Sequence, residues 1–305
     1  LNKTTIFGTE IQNLRLVMES GRFKQGKGRM EQHDIVPAYL EMVKARVTVP
    51  GPLKVVFDPG NGTAGVLLER LIASTPVKPG YVNLEPDGTF PAHVPDPTVP
   101  KYMRQLSTMV TETGAACGIG FDGDSDRIGV VDPQGRVVWG DQLMMLFSRE
   151  VLAAHPGAPI IFEVKCSQGL VDEVARLGGE PVMYKTGHSL MKAKMKEVGS
   201  PFSGEMSGHF FFGERWYGVD DGIYAAARLL EILGSTDTPP EAILNALPSS
   251  YSTPELKVEM EEGQNHAFVE AFKEAVAGQT GVGSAFEGAE INTIDGLRAD
   301  FEDGW

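Results

Sequence analysis

The stretch Ala115-Ala116-Cys117-Gly118-Ile119-Gly120-Phe121-Asp122-Gly123-Asp124-Ser125-Asp126-Arg127-Ile128-Gly129-Val130-Val131-Asp132 sets an acidic loop between two short apolar runs. Such runs, bounded by turn residues, read as buried strands. Three carboxylates at alternate positions repel one another if they converge without a cation. Gly123 and Ser125 are small enough to let the backbone turn that tightly. Oxygen-only ligation of this kind suits Mg²⁺, which is octahedral at about 2.0–2.1 Å and keeps positions for water or phosphate. An EF-hand also spaces acids at its first, third and fifth positions, but needs glycine at the sixth and glutamate at the twelfth. Arg127 and Pro133 stand there instead, which excludes the calcium loop. Arg127 adds a planar, permanent charge that fits a phosphate. The plainer alternative is a solvated acidic turn with Arg127 as its internal counter-ion.

Working outward, strands alternate with helices on both sides of this loop. Asp34 caps an amphipathic helix over Ile35–Val43, Leu53–Asp58 is a strand, Ala64–Ala73 is helical, and the proline-rich Asp87–Pro100 is loop. A second series follows: helix Gln142–Ala154 capped by Asp141, strand Ile160–Val164, helix Gly169–Leu177, strand Pro181–Tyr184 and helix Ser189–Val198. Pro201–Tyr217 reads as loop and Gly222–Leu233 as a long apolar helix. The pattern predicts an α/β fold of two consecutive domains, 33–138 and 139–250, with mixed, mainly parallel sheets. Residues 1–32 show no sustained period and read as the remnant of a preceding α/β domain and a linker. Pro248–Pro254 marks the exit from the second unit, and residues 251–305 open a partial α+β domain whose Gly288–Trp305 looks like a strand hairpin. The two α/β units have similar element order but no convincing sequence repeat.

The 305 residues carry 27 basic and 41 acidic side chains, a formal charge of −14 that argues against a nucleic-acid partner or an anionic membrane surface. Two cysteines, Cys117 and Cys166, make no disulfide framework, and a reduced, cytoplasmic protein is the default expectation. No apolar run approaches the roughly 18–20 residues of a membrane span. Nothing in the sequence sets an oligomeric state.

The acidic loop resembles the metal-binding loop of the α-D-phosphohexomutases, Asp-Gly-Asp-(Gly/Ser/Ala)-Asp-Arg. Glu163-Val164-Lys165-Cys166-Ser167, Lys185-Thr186-Gly187-His188-Ser189 and Gly204-Glu205-Met206-Ser207-Gly208-His209 are similar to that family's remaining central motifs, in the same order. The resemblance is closest to its bacterial phosphomannomutase/phosphoglucomutase members. It implies four domains around one cleft, in which a phosphoserine exchanges phosphate with a hexose 1- or 6-phosphate through a hexose 1,6-bisphosphate. Asp122, Asp124 and Asp126 would then hold Mg²⁺, with Arg127 and Lys165 offsetting phosphate charge. Glu205 and Ser207 would grip sugar hydroxyls, Lys165 and His188 would reach the substrate, and His209 would end the sugar loop. A carboxylate at Glu205 has acceptors for two hydroxyls. His188 taken alone could equally cap the helix after it, and Cys166 reads as packing. The sugar loop is expected to face the acidic loop across a cleft without touching the metal.

The family's serine loop, Thr-Ala-Ser-His-Asn-Pro, occurs nowhere in these residues, so no catalytic serine is assigned and the chain by itself is expected to be inactive. Its phosphate-binding Arg-x-Ser-x-Thr loop is missing too. Rival readings are a non-catalytic binder of metal and sugar phosphate, and a metal-dependent phosphatase with Asp122 as nucleophile. A further one is a dinucleotide fold, because Gly60-Asn61-Gly62-Thr63-Ala64-Gly65 satisfies Gly-x-Gly-x-x-Gly. Asp58-Pro59 crowds that turn where the backbone should open, so Gly60–Gly65 is taken as a tight strand–helix junction.

Overall fold

The computed structural model describes residues 5–305 apart from Ser249, Ser252, Pro254, Lys257, Glu262 and Asp303. The expected exit segment Pro248–Pro254 and the first residues of segment 1–32 therefore fall partly outside the described residues.

The chain begins with α1 (Thr9–Ser20), where no helix was expected. None of its residues is buried, so its apolar positions lack the packing that would have given a readable period. The first α/β unit comprises α2 (Val36–Lys44), β1 (Lys54–Asp58), α3 (Gly65–Ile72), β2 (Lys78–Tyr81), α4 (Arg104–Thr113), β3 (Cys117–Phe121), β4 (Ile128–Val131) and β5 (Val137–Val138). Asp34 accepts a hydrogen bond from the Val36 N–H at 3.1 Å just ahead of α2, whose N-cap position is Ile35 rather than the expected Asp34. The sheet order is β2-β1-β3-β4-β5, with β1 parallel to β2 and β3, and with β3–β4 and β4–β5 antiparallel.

The second unit comprises α5 (Gly140–Ala154), β6 (Pro159–Glu163), α6 (Gln168–Arg176), β7 (Glu180–Tyr184), α7 (His188–Val198), β8 (Phe202–Gly204), β9 (Phe210–Phe212) and α8 (Gly222–Gly234). Asp141 does not cap α5 as expected. The helix begins at Gly140, the Gln142 side chain accepts from the Trp139 N–H, and Asp141 is buried within the first turn. The order β7-β6-β8-β9 repeats β2-β1-β3-β4, again with a parallel centre and an antiparallel last pair. The expected loop Pro201–Tyr217 is thus corrected to a hairpin. Each strand is three residues long, and Phe210, Phe211 and Phe212 are all buried, so no alternation betrayed them. The acidic loop caps β3–β4 and the sugar loop caps β8–β9, equivalent positions in the two units.

One apolar cluster runs from Leu40 to Leu247 through both units, while smaller clusters cover the outer faces under α4 and α7. Helices α2 and α8 join the units. The Tyr39 hydroxyl donates to both oxygens of Asp221 at 2.8 and 3.0 Å, and Asp221 caps α8 by accepting from the Tyr224 N–H. The chain continues through α9 (Pro240–Asn245) and α10 (Gln264–Ala277) to the hairpin β10 (Glu290–Asn292)–β11 (Arg298–Asp300). That hairpin docks on the second unit: Arg298 donates to the carbonyls of Val164 (2.6 Å) and Cys166 (2.7 Å).

Candidate functional site

The acidic loop is shaped from behind by the β1–α3 junction. A Cβ on Gly62 would stand 2.7 Å from the Gly123 carbonyl, and the Thr63 N–H donates to that same oxygen at 3.0 Å. Gly62 and Gly65 therefore let this junction press against other backbone, at Gly123 and Leu84, as a tight strand–helix junction does. Asp58, buried at the end of β1, holds the turn by accepting from the Gly60 N–H and Asn83 Nδ2, and its other oxygen meets His93 Nε2 at 3.0 Å. Ser125 sits in the left-handed region (φ 68°), its hydroxyl 2.8 Å from that of Thr63.

Within this frame Asp122, Asp124 and Asp126 present oxygens that all lie within 4.8 Å of one another. Ligand oxygens on an octahedral Mg²⁺ stand about 3.0 Å apart when cis and about 4.2 Å when trans, so the three carboxylates would draw together on binding, and an all-oxygen donor set fits that ion. Asp122 is buried and binds Arg127 twice, through Nε at 2.6 Å and the backbone N–H at 3.1 Å. Burial pushes its carboxyl up to about 6 against the pull of Arg127. A divalent cation would add positive charge where the three carboxylates converge. The second arm of Arg127 reaches Asp96 at 3.4 Å, so the proline-rich loop also positions the guanidinium.

The acidic loop and the sugar loop are joined edge to edge, which corrects the expected separation across a cleft. The Ile128 N–H donates to the Gly208 carbonyl at 3.1 Å, and Arg127 and His209 form an antiparallel bridge. Gly208 has φ 94°, and a Cβ there would lie 2.2 Å from the Ile128 carbonyl, so only glycine allows this approach. His209 spans the junction, with Nε2 3.2 Å from Asp126 and Nδ1 2.8 Å from Glu205. A carboxylate on each ring nitrogen requires both nitrogens to carry protons. Burial disfavours that charge, but the hydrogen bonds to Asp126 and Glu205 prevail and raise the imidazole to about 9.

Glu205 is only 3% exposed. One oxygen accepts from the Gly187 N–H at 2.7 Å, and the other faces His209 Nδ1 and, at 3.4 Å, the Ser207 hydroxyl. Burial opposes its ionisation, but these donors outweigh it and hold the carboxyl below its ordinary value. Three of its roughly four acceptor positions are therefore taken, leaving room for one further hydroxyl rather than two. Ser207 lies 3.0 Å from His209 Nδ1.

His188 opens α7 but does not cap it; its Nδ1 lies 2.7 Å from Asp220, and its ring stacks over His209 at 6.0 Å between centroids. Lys165 stands slightly apart, 3.8 Å from Glu163 Oε1 and more than a third exposed. Glu163 is fully buried and ties the wall together: it accepts from the backbone N–H groups of Lys165 and Met206 and from the Thr186 hydroxyl. Cys166 is buried, and burial raises its thiol well above the ordinary range. Glu163, Asp96 and Asp220 had no role assigned from the sequence. Glu163 opens one of the quoted motifs, whereas nothing local distinguishes Asp96 or Asp220.

Two α/β units of matching strand order thus carry a loop of convergent carboxylates joined to a second loop. Family models described as phosphoglucomutase/phosphomannomutase, alpha/beta/alpha domains II and III, match residues 37–135 and 139–251. The chain belongs to the phosphoglucomutase/phosphomannomutase family. It is 44% identical over 301 residues to the phosphomannomutase/phosphoglucomutase of Pseudomonas aeruginosa, matching 99% of this chain and 63% of that protein. A crystal structure of a phosphoglucomutase/phosphomannomutase family protein from Burkholderia thailandensis superposes with a TM-score of 0.89 at 43% identity, over 98% of this chain and 62% of that one. The N-acetylphosphoglucosamine mutase of Aspergillus fumigatus, solved in complex with GlcNAc-6P and magnesium, shares the fold. Its TM-score is 0.52 at 16% identity, over 78% of this chain and 60% of that chain. The present chain thus spans a little under two thirds of the relatives it matches. Among the described residues no helix is long and apolar enough to cross a membrane.

Proposed function

We propose that this chain supplies the metal loop and sugar wall of a Mg²⁺-dependent phosphohexomutase that interconverts hexose 1-phosphate and hexose 6-phosphate, of mannose or glucose, in the cytoplasm. The observation that carries the reading is His209, which links the convergent carboxylates at Asp126 to the sugar-loop carboxylate at Glu205. A phosphatase needs the acids but not the second loop. A mutase needs both, because its sugar must turn over beside the metal and be held in either orientation.

Asp122, Asp124 and Asp126 would hold Mg²⁺, which offsets charge on a transferring phosphoryl group. Arg127, held by Asp122 and Asp96, presents its remaining N–H groups to a phosphate. Lys165, exposed and only loosely paired with Glu163 at 3.8 Å, has its ammonium for the same purpose, while Glu205, Ser207 and His188 meet hydroxyls. The hexose 1,6-bisphosphate of the resemblance would be the species that reorients between two transfers. The serine nucleophile is no part of these residues, so the chain alone is expected to turn over no glucose 1-phosphate.

Titration calorimetry on the chain tests the assignment. Mg²⁺ should bind the wild type and be largely lost from Asp124→Asn, whose exposed side chain leaves folding intact. Glu205→Ala should weaken glucose 1-phosphate binding about 10- to 100-fold, since charge-assisted hydrogen bonds contribute roughly 1.5–3 kcal/mol. It should also lower Mg²⁺ affinity modestly, because His209 then loses one of the two acceptors that aim it at Asp126. Undiminished sugar-phosphate binding by Glu205→Ala, or Mg²⁺ binding indifferent to Asp124, would sink the proposal.

A further inference from the structure

Beside the metal loop lies a second group of potential ligands, Asp126, His188 and Asp220, with one atom each within 4.8 Å of the others. Its composition suggests another cation site, but Lys192 decides against that. Its Nζ lies 2.8 Å from Asp220 Oδ1 and 3.4 Å from His188 Nδ1, so an ammonium of this protein already stands where an ion would bind.

The distances also settle which imidazole nitrogen carries a proton. Asp220 Oδ2 is 2.7 Å from His188 Nδ1, and an ionised carboxylate can only accept. Nδ1 must therefore donate, and Lys192 at 3.4 Å cannot be donating to the same nitrogen. Asp220 is itself well fixed. Its side chain is 9% exposed, its backbone bridges Phe211 in the middle of β9, and its neighbour Asp221 caps α8. Lys192 reaches it from the second turn of α7, the helix that begins with His188. The arrangement has the logic of a ligating or catalytic histidine oriented by a carboxylate on its far nitrogen.

We propose that Asp220, itself held by Lys192, is a positioning residue that locks His188 with Nδ1–H turned inward and Nε2 presented as an acceptor to a hydroxyl of the bound sugar phosphate. The ligand's identity rests on the function proposed above, whereas the state of His188 does not. The recognised group is a donor hydroxyl, since a bare Nε2 accepts and would not favour a phosphate oxygen.

The two parts separate in one set of measurements on the ¹⁵N-histidine-labelled chain at about pH 9, above the ordinary histidine range. Signals of His188 are assigned by their absence in His188→Gln. Wild type should show the proton on Nδ1. Asp220→Ala should move it to Nε2 in most molecules and weaken glucose 1-phosphate about tenfold, with the melting temperature little changed. Asp220→Asn, whose amide oxygen still accepts, should keep the proton on Nδ1 and bind within about threefold of wild type. A proton that stays on Nδ1 in Asp220→Ala would overturn the assignment. So would a tautomer change with no loss of affinity, or zinc uptake that depends on His188 and Asp220. A wild type that binds no sugar phosphate, yet shows the expected tautomers, would refute the proposed function and leave the positioning of His188 standing.

Discussion

Glu173 illustrates how far single side chains here depend on partners that arrive from elsewhere in the chain. Its carboxylate takes both Arg176, one turn on, and Arg149 from α5. The Arg176 hydrogen bonds, together with the one from Arg149, outweigh burial and lower its pKa to about 2. A carboxyl depressed on folding stabilises the native state above its unfolded value, about 4.5, and loses that effect as pH falls toward 2. Glu173→Gln should therefore be less stable than wild type at pH 7, and the gap should close between about pH 4.5 and pH 2. Urea denaturation at several pH values measures it; a gap independent of pH would contradict the pairing. Site residues follow the same rule. Asp122, Asp124, Asp126 and Arg127 were legible as a group because their chemistry sits in six consecutive positions. Asp220 was not, because its partners His188 and Lys192 stand 32 and 28 positions away.

Short elements carry the site, and their stability comes from beneath. Phe147 on α5 packs its ring against Phe202, Phe210 and Phe212 at centroid distances of 5.8, 5.1 and 5.2 Å. A hairpin of two three-residue strands has little stability of its own in water, so this aromatic base holds the sugar loop in place. Phe147→Ala should cost about 3–5 kcal/mol in unfolding free energy. In the fraction that remains folded it should weaken glucose 1-phosphate more than Mg²⁺, because β3–β4 rests on other side chains. A denaturant midpoint unchanged by the substitution would show that the hairpin is held from elsewhere. The elements most visible in the sequence were those with a clear period or a strong turn signal, such as α3, β3 and the proline-rich loop. The β8–β9 hairpin was hidden by burial on both faces, and α1 by its lack of any buried face.

At the scale of the molecule, the core from Leu40 to Leu247 ignores the division at residue 139. A shared core makes the two α/β units one cooperative body, and calorimetry should show residues 36–247 melting in a single transition with equal calorimetric and van't Hoff enthalpies. Mg²⁺ at a hundred times its dissociation constant should raise stability by about 2.7 kcal/mol across that whole transition. Two separated transitions, only one of them responsive to Mg²⁺, would show that the units fold independently. Fold class, the longer helices and central strands, and the acid–arginine loop follow from local pattern, because period, turn residues and consecutive ligands are properties of neighbours along the chain. The repeat of sheet topology, the edge-to-edge joining of the two loops through Gly208 and His209, and the Asp220 brace on His188 do not. Each depends on a contact between segments many positions apart, and whether a carboxylate becomes a ligand, a hydroxyl acceptor or a brace is settled only by which donor folding brings against it.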